Sequence, residues 1–164
     1  GLETTGKVAV ITGASHGIGE SLVAAYRNAG FKVVASALSI APSADENVRN
    51  VAGDITDPET ADRIMSEGVD GFGRLDTLVN NAGAYISKPF TEYTLADYDA
   101  MLATNLAGFF YITQRALRRM ATQGWGHIVN ITATVAELGY QPAPTLEAGL
   151  RAQWKWLLGE ADED

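Results

Sequence analysis

The chain has 164 residues, enough for one domain with a core of its own. A hydrophobic fraction of 46% against 20% charged residues excludes a disordered chain, and a net charge of −8 argues against a nucleic-acid partner, because an acidic surface repels phosphate backbones. There is no cysteine and hence no disulfide, and the longest apolar runs are too short to span a bilayer.

The absence of cysteine fits a cytoplasmic location, which is the expectation, and Gly1-Leu2-Glu3-Thr4-Thr5 lacks a basic region followed by an apolar run, so no signal peptide is expected. Lys7 to Ile11 is a short β-branched run ending in Thr12-Gly13, the pattern of a buried parallel strand. A helix is predicted from about Ile18 to Ala29, closed by Gly30. Strands follow at Phe31 to Ser36 and Val48 to Val51. Asp57-Pro58-Glu59 starts a helix: Asp caps, Pro takes the first helical position, and Glu meets the positive end of the dipole. Leu75 to Asn80 is a fourth strand. Thr94-Leu95-Ala96-Asp97 reads as a capping box, and Leu102, Leu106, Phe109, Phe110, Thr113, Leu117 and Met120 follow at helical spacing as one apolar stripe. Gly124 ends that helix, and Gly126 to Ile131 is a fifth strand that opens with a surface residue, His127. Strands alternating with helices in this rhythm predict an α/β fold whose parallel sheet is covered on both faces. The rest divides into the breaker cluster Gln141-Pro142-Ala143-Pro144, a further helical stretch from Thr145 to Leu158, and an acidic tail.

Chemistry concentrates in Thr12-Gly13-Ala14-Ser15-His16-Gly17-Ile18-Gly19, which joins a strand to a helix. Glycine permits a tight turn and close backbone approach to a pyrophosphate, and the helix N-terminus offers unpaired N–H groups to the anion. The loop resembles the cofactor loop of short-chain dehydrogenases/reductases. Asn80-Asn81-Ala82-Gly83 resembles that family's second signature. Asp54, in Gly53-Asp54-Ile55, is similar to the residue that contacts the adenine ring. Asn105 matches the asparagine of the family's long central helix.

The resemblance covers about residues 5 to 132 and implies a Rossmann-like, doubly wound parallel sheet of about five strands, binding NAD or NADP beyond the strands' carboxyl ends. The cofactor-binding set it implies is Gly13, Ser15, His16, Gly17, Ile18, Gly19, Asp54, Ile55, Asn81, Ala82 and Gly83. Asp54 has a second reading as a loop cap, and Asn81 and Gly83 as supports of the turn. Ser36-Ala37-Leu38-Ser39, after the second strand, holds neither an acid for a ribose 2′-hydroxyl nor an arginine for a 2′-phosphate. His16 tips the choice slightly toward NADP. No metal site is expected.

The family transfers hydride between nicotinamide and a carbonyl or alcohol carbon, with a Tyr activated by a Lys four residues later and a Ser after the fifth strand. Here the matching positions hold Ala133, flanked by Thr132 and Thr134 as weak substitutes for the serine, and Leu146 and Leu150. The residues four before Lys7, Lys32, Lys88 and Lys155 are Glu3, Asn28, Ala84 and Arg151, so no Tyr-x-x-x-Lys exists in the chain. In the family Asn105 anchors a proton-relaying water; with the relay incomplete, its expected role here is structural. The resemblance also calls for a completed sixth helix, two more strands and a substrate loop, for which the residues after Leu150 do not suffice. The expectation is a dinucleotide-binding domain over residues 1–150 with a divergent tail over 151–164. It is an oxidoreductase by descent with impaired or no activity. The alternative is a non-catalytic nucleotide-binding or structural module. A homo-oligomer is expected through the long helix and the open edge of the fifth strand. The substrate is not readable.

Overall fold

In the computed structural model, which describes residues 4–132, the first strand of the chain is the middle one of the sheet. Val8–Thr12 (β1) pairs in parallel with Lys32–Ala37 (β2) on one side and with Thr77–Asn80 (β4) on the other. Val48–Ala52 (β3) extends the sheet beyond β2, and His127–Asn130 (β5) extends it beyond β4. The order is β3-β2-β1-β4-β5, all parallel. Every strand therefore ends on the same edge of the sheet, and the loops that follow them gather there.

Side chains alternate across the pleat. Val8 and Val10 of β1 face one layer, where Ala61 and Ile64 of Pro58–Phe72 (α2) pack beside Ile112, Ala116 and Met120 of Phe109–Gln123 (α4). Ala9 and Ile11 face the other, against Leu22, Val23 and Tyr26 of Gly17–Asn28 (α1). The predicted α/β sheet with helices on both faces is present. The helix starts are also as predicted. The Asp57 side chain accepts from the Glu59 N–H at the head of α2. Thr94 and Asp97 form a reciprocal capping box at the head of Leu95–Leu102 (α3).

The long central helix departs from expectation. It is continuous from α3 into α4 through a π-helical segment, Ala103–Gly108. The predicted stripe is not one face. Met120 is buried, whereas Leu102, Leu106, Phe110 and Leu117 are exposed. The buried face is instead Gly108, Ile112, Ala116 and Met120. Small residues sit there because the helix crosses close over its neighbours: a Cβ on Gly108 would lie 2.8 Å from Ile55 Cγ2.

At the amino-terminal end of the sheet, the buried carboxylate of Asp76 closes the start of β1. Its Oδ2 accepts from the Val8 N–H at 2.8 Å and from Arg74 Nε at 2.8 Å, while Oδ1 accepts from Arg74 Nη2 at 2.6 Å. The pairing with Asp76 raises the pKa of the Arg74 guanidinium above its ordinary value.

Candidate dinucleotide site

At the carboxyl edge, two loops are locked to each other through Thr12, the last residue of β1. Its Oγ1 accepts from the backbone N–H groups of Asn81 (3.1 Å) and Ala82 (3.0 Å) and donates to the Val79 carbonyl. The Asn81 amide then donates from Nδ2 to the carbonyls of Thr12 and Gly13, both at 3.1 Å. A third tie runs from the Ala14 N–H to the Ser36 carbonyl at the end of β2. The glycine loop is thus bound to both neighbouring strand ends and held in one shape.

That shape needs glycine. Gly13 and Gly17 have φ of +64° and +58°, a region L-residues avoid. Gly19 is required for a different reason: a Cβ there would lie 2.0 Å from the Gly13 carbonyl oxygen, so the first turn of α1 rests directly on the loop. Ser15, His16, Gly17 and Ile18 are exposed, and α1 has no side-chain cap. The N–H groups of its first turn are left for an incoming acceptor. His16 is the N-cap residue in extended conformation, its Nδ1 3.0 Å from Ser15 Oγ.

Asp54 follows β3 on the same edge and is exposed. Its Oδ1 accepts from the Thr56 N–H at 2.9 Å, and its carbonyl accepts from the Asp57 N–H at 3.1 Å, so it does cap its own loop. Oδ2 makes no hydrogen bond among the described residues, which leaves the carboxylate able to take a ligand donor. Ile55 packs partly against the core. Gly83 lies beside Asn105, whose Oδ1 a Cβ would meet at 3.3 Å. Asn105 is exposed, and its amide is occupied at both ends by the Ala84 backbone. The structure brings Gly13 to Gly19, Asp54, Ile55, Asn81, Ala82, Gly83 and Asn105 to one edge. Ala133, Leu146 and Leu150, and the predicted domain boundary at residue 150, lie outside the described residues.

Sequence reading missed the polar ties beneath this edge. Asn80 donates from Nδ2 to Thr113 Oγ1 at 3.0 Å and to Asn130 Oδ1 at 2.9 Å. It thereby joins β4 to its register partner on β5 and to α4. The available signal was a polar residue closing each of two apolar strands. Thr12 is singled out in the sequence as the head of the glycine loop, but its hydrogen bonds to the loop after β4 are not legible there.

Comparison with known proteins agrees with this geometry. The sequence profile described as short chain dehydrogenase matches residues 7–146. An uncharacterized oxidoreductase of Staphylococcus aureus is 35% identical over 136 residues, covering 79% of this chain and 59% of that protein. One of Staphylococcus haemolyticus is 36% identical over 141 residues, covering 82% and 61%. The chain therefore spans about three fifths of the length of these curated relatives. A solved short-chain dehydrogenase/reductase from Serratia marcescens superposes with a TM-score of 0.71 at 32% identity, covering 95% of this chain and 69% of its own. The structure of ElxO with NADP bound also scores 0.71 at 32% identity, covering 77% and 55%. On its profile match, its relatives and its parallel sheet, the chain belongs to the short-chain dehydrogenase/reductase family.

Proposed function

We propose that the edge built by the glycine loop, Asp54 and Asn81-Ala82-Gly83 binds the adenine half of NADP, or of NAD more weakly, in a chain with impaired or no turnover. The observation that carries this reading is the rigid glycine loop laid against the uncapped first turn of α1, with Gly17 open to solvent. The donors there fit a pyrophosphate, and the backbone conformation admits its close approach. Asp54 and Ile55 would flank the adenine, and Asn81 would line the site while also supporting the loop through the Thr12 and Gly13 carbonyls. The preference for NADP rests on His16 and Ser15 at the exposed head of α1, on the absence of a carboxylate in Ser36-Ala37-Leu38-Ser39, and on ElxO with NADP bound.

Bound nicotinamide supplies or accepts a hydride; the chain must supply the proton that balances it. Leu146 and Leu150 have no proton to give, and Ala133 has no hydroxyl to orient a carbonyl. Loss of a positioned acid costs about 10²–10⁴ in rate. Turnover of ketones and secondary alcohols with either cofactor is therefore expected at background. Two further readings belong to the same proposal. One is a cytoplasmic location. The other is a homodimer through the exposed apolar residues of the central helix.

Calorimetric titration of the folded chain with NADP and NAD tests the binding. Saturable heat, larger affinity for NADP, and no turnover on a ketone panel are expected. Absence of heat and of any thermal shift at about millimolar cofactor would leave only a structural module. Ready turnover would instead place a proton donor in the site by a route that the matching positions do not provide.

A further inference from the structure

At the end of the sheet opposite the glycine loop, the residues preceding β1, β4 and β5 meet those that close α2 and α4. They line a cleft of about 400 Å³, open to solvent on one side, formed by Lys7, Gly73, Arg74, Asp76, Gln123 and Trp125. The side-chain acceptors in its wall are already engaged. Asp76 is held by Arg74 and by the Val8 N–H, and its side chain is only 1% exposed. Gln123 Oε1 accepts from the Leu75 N–H at 3.0 Å, while its Nε2 donates to the Leu75 carbonyl at 2.7 Å.

The unengaged side-chain groups are donors. Lys7 Nζ, Arg74 Nη1 and the Trp125 indole N–H make no hydrogen bond among the described residues. Asp76 offsets Arg74, whereas Lys7 has no carboxylate partner among the described residues. Its ammonium lies 5.2 Å from the centroid of the Trp125 ring, which is itself half exposed. Spare side-chain groups that are all donors, two of them cationic, are complementary to an acceptor group such as an oxyanion. The ends of α2 and α4 turn their partial negative charge toward this end of the molecule, which opposes any anion and opposes a dianion more than a singly charged carboxylate; Lys7 and Arg74 must outweigh it. The indole supplies an apolar face for a ring, and the volume suits a small molecule.

We propose that this cleft binds a small aromatic carboxylate, its carboxylate on Lys7 and Arg74 Nη1 and its ring against Trp125. The site is independent of the dinucleotide edge and does not depend on that edge being occupied. The opposing account is that Lys7 and Arg74 only offset the helix ends.

The test is an NMR titration of the whole chain with ¹⁵N-labelled indoles, the Trp125 resonance being identified by its loss in Trp125→Phe. Sodium benzoate is the probe; benzylamine hydrochloride and sodium phosphate are the comparisons. Benzoate should give a saturable shift with a Kd in the range of about 1 mM, benzylammonium none, and phosphate a weaker response. Lys7→Gln should weaken benzoate by about tenfold, and Lys7→Arg should keep it. Trp125→Leu, which keeps the charges and removes the indole, should weaken benzoate as well, read by calorimetry. Thermal unfolding of each variant separates a lost contact from a lost fold. A linear, unsaturating response, an equal response to all three probes, or benzoate affinity unchanged in both Lys7→Gln and Trp125→Leu would overturn the proposal.

Discussion

The side chain of Asn105 forms a two-point hydrogen-bonded pair with the backbone of Ala84: Oδ1 accepts from its N–H at 2.7 Å and Nδ2 donates to its carbonyl at 2.9 Å. The pair spans from the π-helical segment to the loop after β4, whose head is already tied to Thr12. Asn105→Ala should therefore cost about 0.5–1.5 kcal/mol, and Asn105→Asp, which keeps the acceptor for the Ala84 N–H, should cost less. Urea unfolding measures both. Unchanged stability in Asn105→Ala would remove the structural role.

Gly19 and Gly17 should respond differently to the same added methyl. At Gly19 it meets the Gly13 carbonyl at 2.0 Å, a backbone atom that cannot swing aside. Gly19→Ala should lose more than about 4 kcal/mol. At Gly17 nothing lies within 4 Å of the added carbon, and only the positive φ resists it. Gly17→Ala should lose about 1–2 kcal/mol. The bulkier Gly17→Val should fold but give no heat with NADP. A folded Gly19→Ala of ordinary stability would contradict the packing of α1 on its loop.

These contrasts show what the sequence carries. Asp57-Pro58-Glu59 and Thr94 with Asp97 are legible because a cap acts within three residues, and the glycine loop because its strand and helix flank it directly. The central helix is misread for two physical reasons. Its π-helical segment changes the angular phase between Leu102 and Phe110, so a uniform 3.6-residue period does not apply across it. Its buried face is built partly from Gly108 and Ala116, which a hydrophobic count overlooks, while large apolar residues stand on the opposite face. The donor-lined cleft is illegible for another reason: Lys7 and Trp125 lie far apart in sequence and meet only when the sheet closes.

The corrected helix face is testable by truncation. Ile112 is fully buried, and Ile112→Ala should cost about 2–5 kcal/mol at any protein concentration. Leu117 is 52% exposed, and Leu117→Ala in dilute protein should stay within about 0.5 kcal/mol. If the exposed face joins two copies, Leu106→Glu with Phe110→Asp should shift sedimentation to a monomer. A wild-type chain that stays monomeric when concentrated would discard the dimer.

Asp97 gives the α3 cap an acid dependence. A hydrogen bond from Lys88 Nζ, then those from the Thr94 side chain and backbone, lower its pKa to about 2. Its folded value lies below the unfolded one, so it contributes stability above about pH 4 that is lost as the pH falls toward 2. Asp97→Asn should therefore lower the unfolding midpoint at pH 6, and the gap from wild type should narrow as the pH falls through about 2. A gap that stays constant across that range would mean that Asp97 titrates alike in both states.

The central position of β1 has a consequence for synthesis. The carboxylate that receives the Val8 N–H is on Asp76, 68 residues further along the chain. At roughly 5–20 residues per second, a ribosome delivers it roughly 3–14 s later. Throughout that interval the β4-facing edge of the most apolar strand, Val8-Ala9-Val10-Ile11, has no neighbour of its own chain to pair with. A nascent chain stalled before Thr77 should therefore recruit strand-binding chaperones, and one released beyond Asn80 should not.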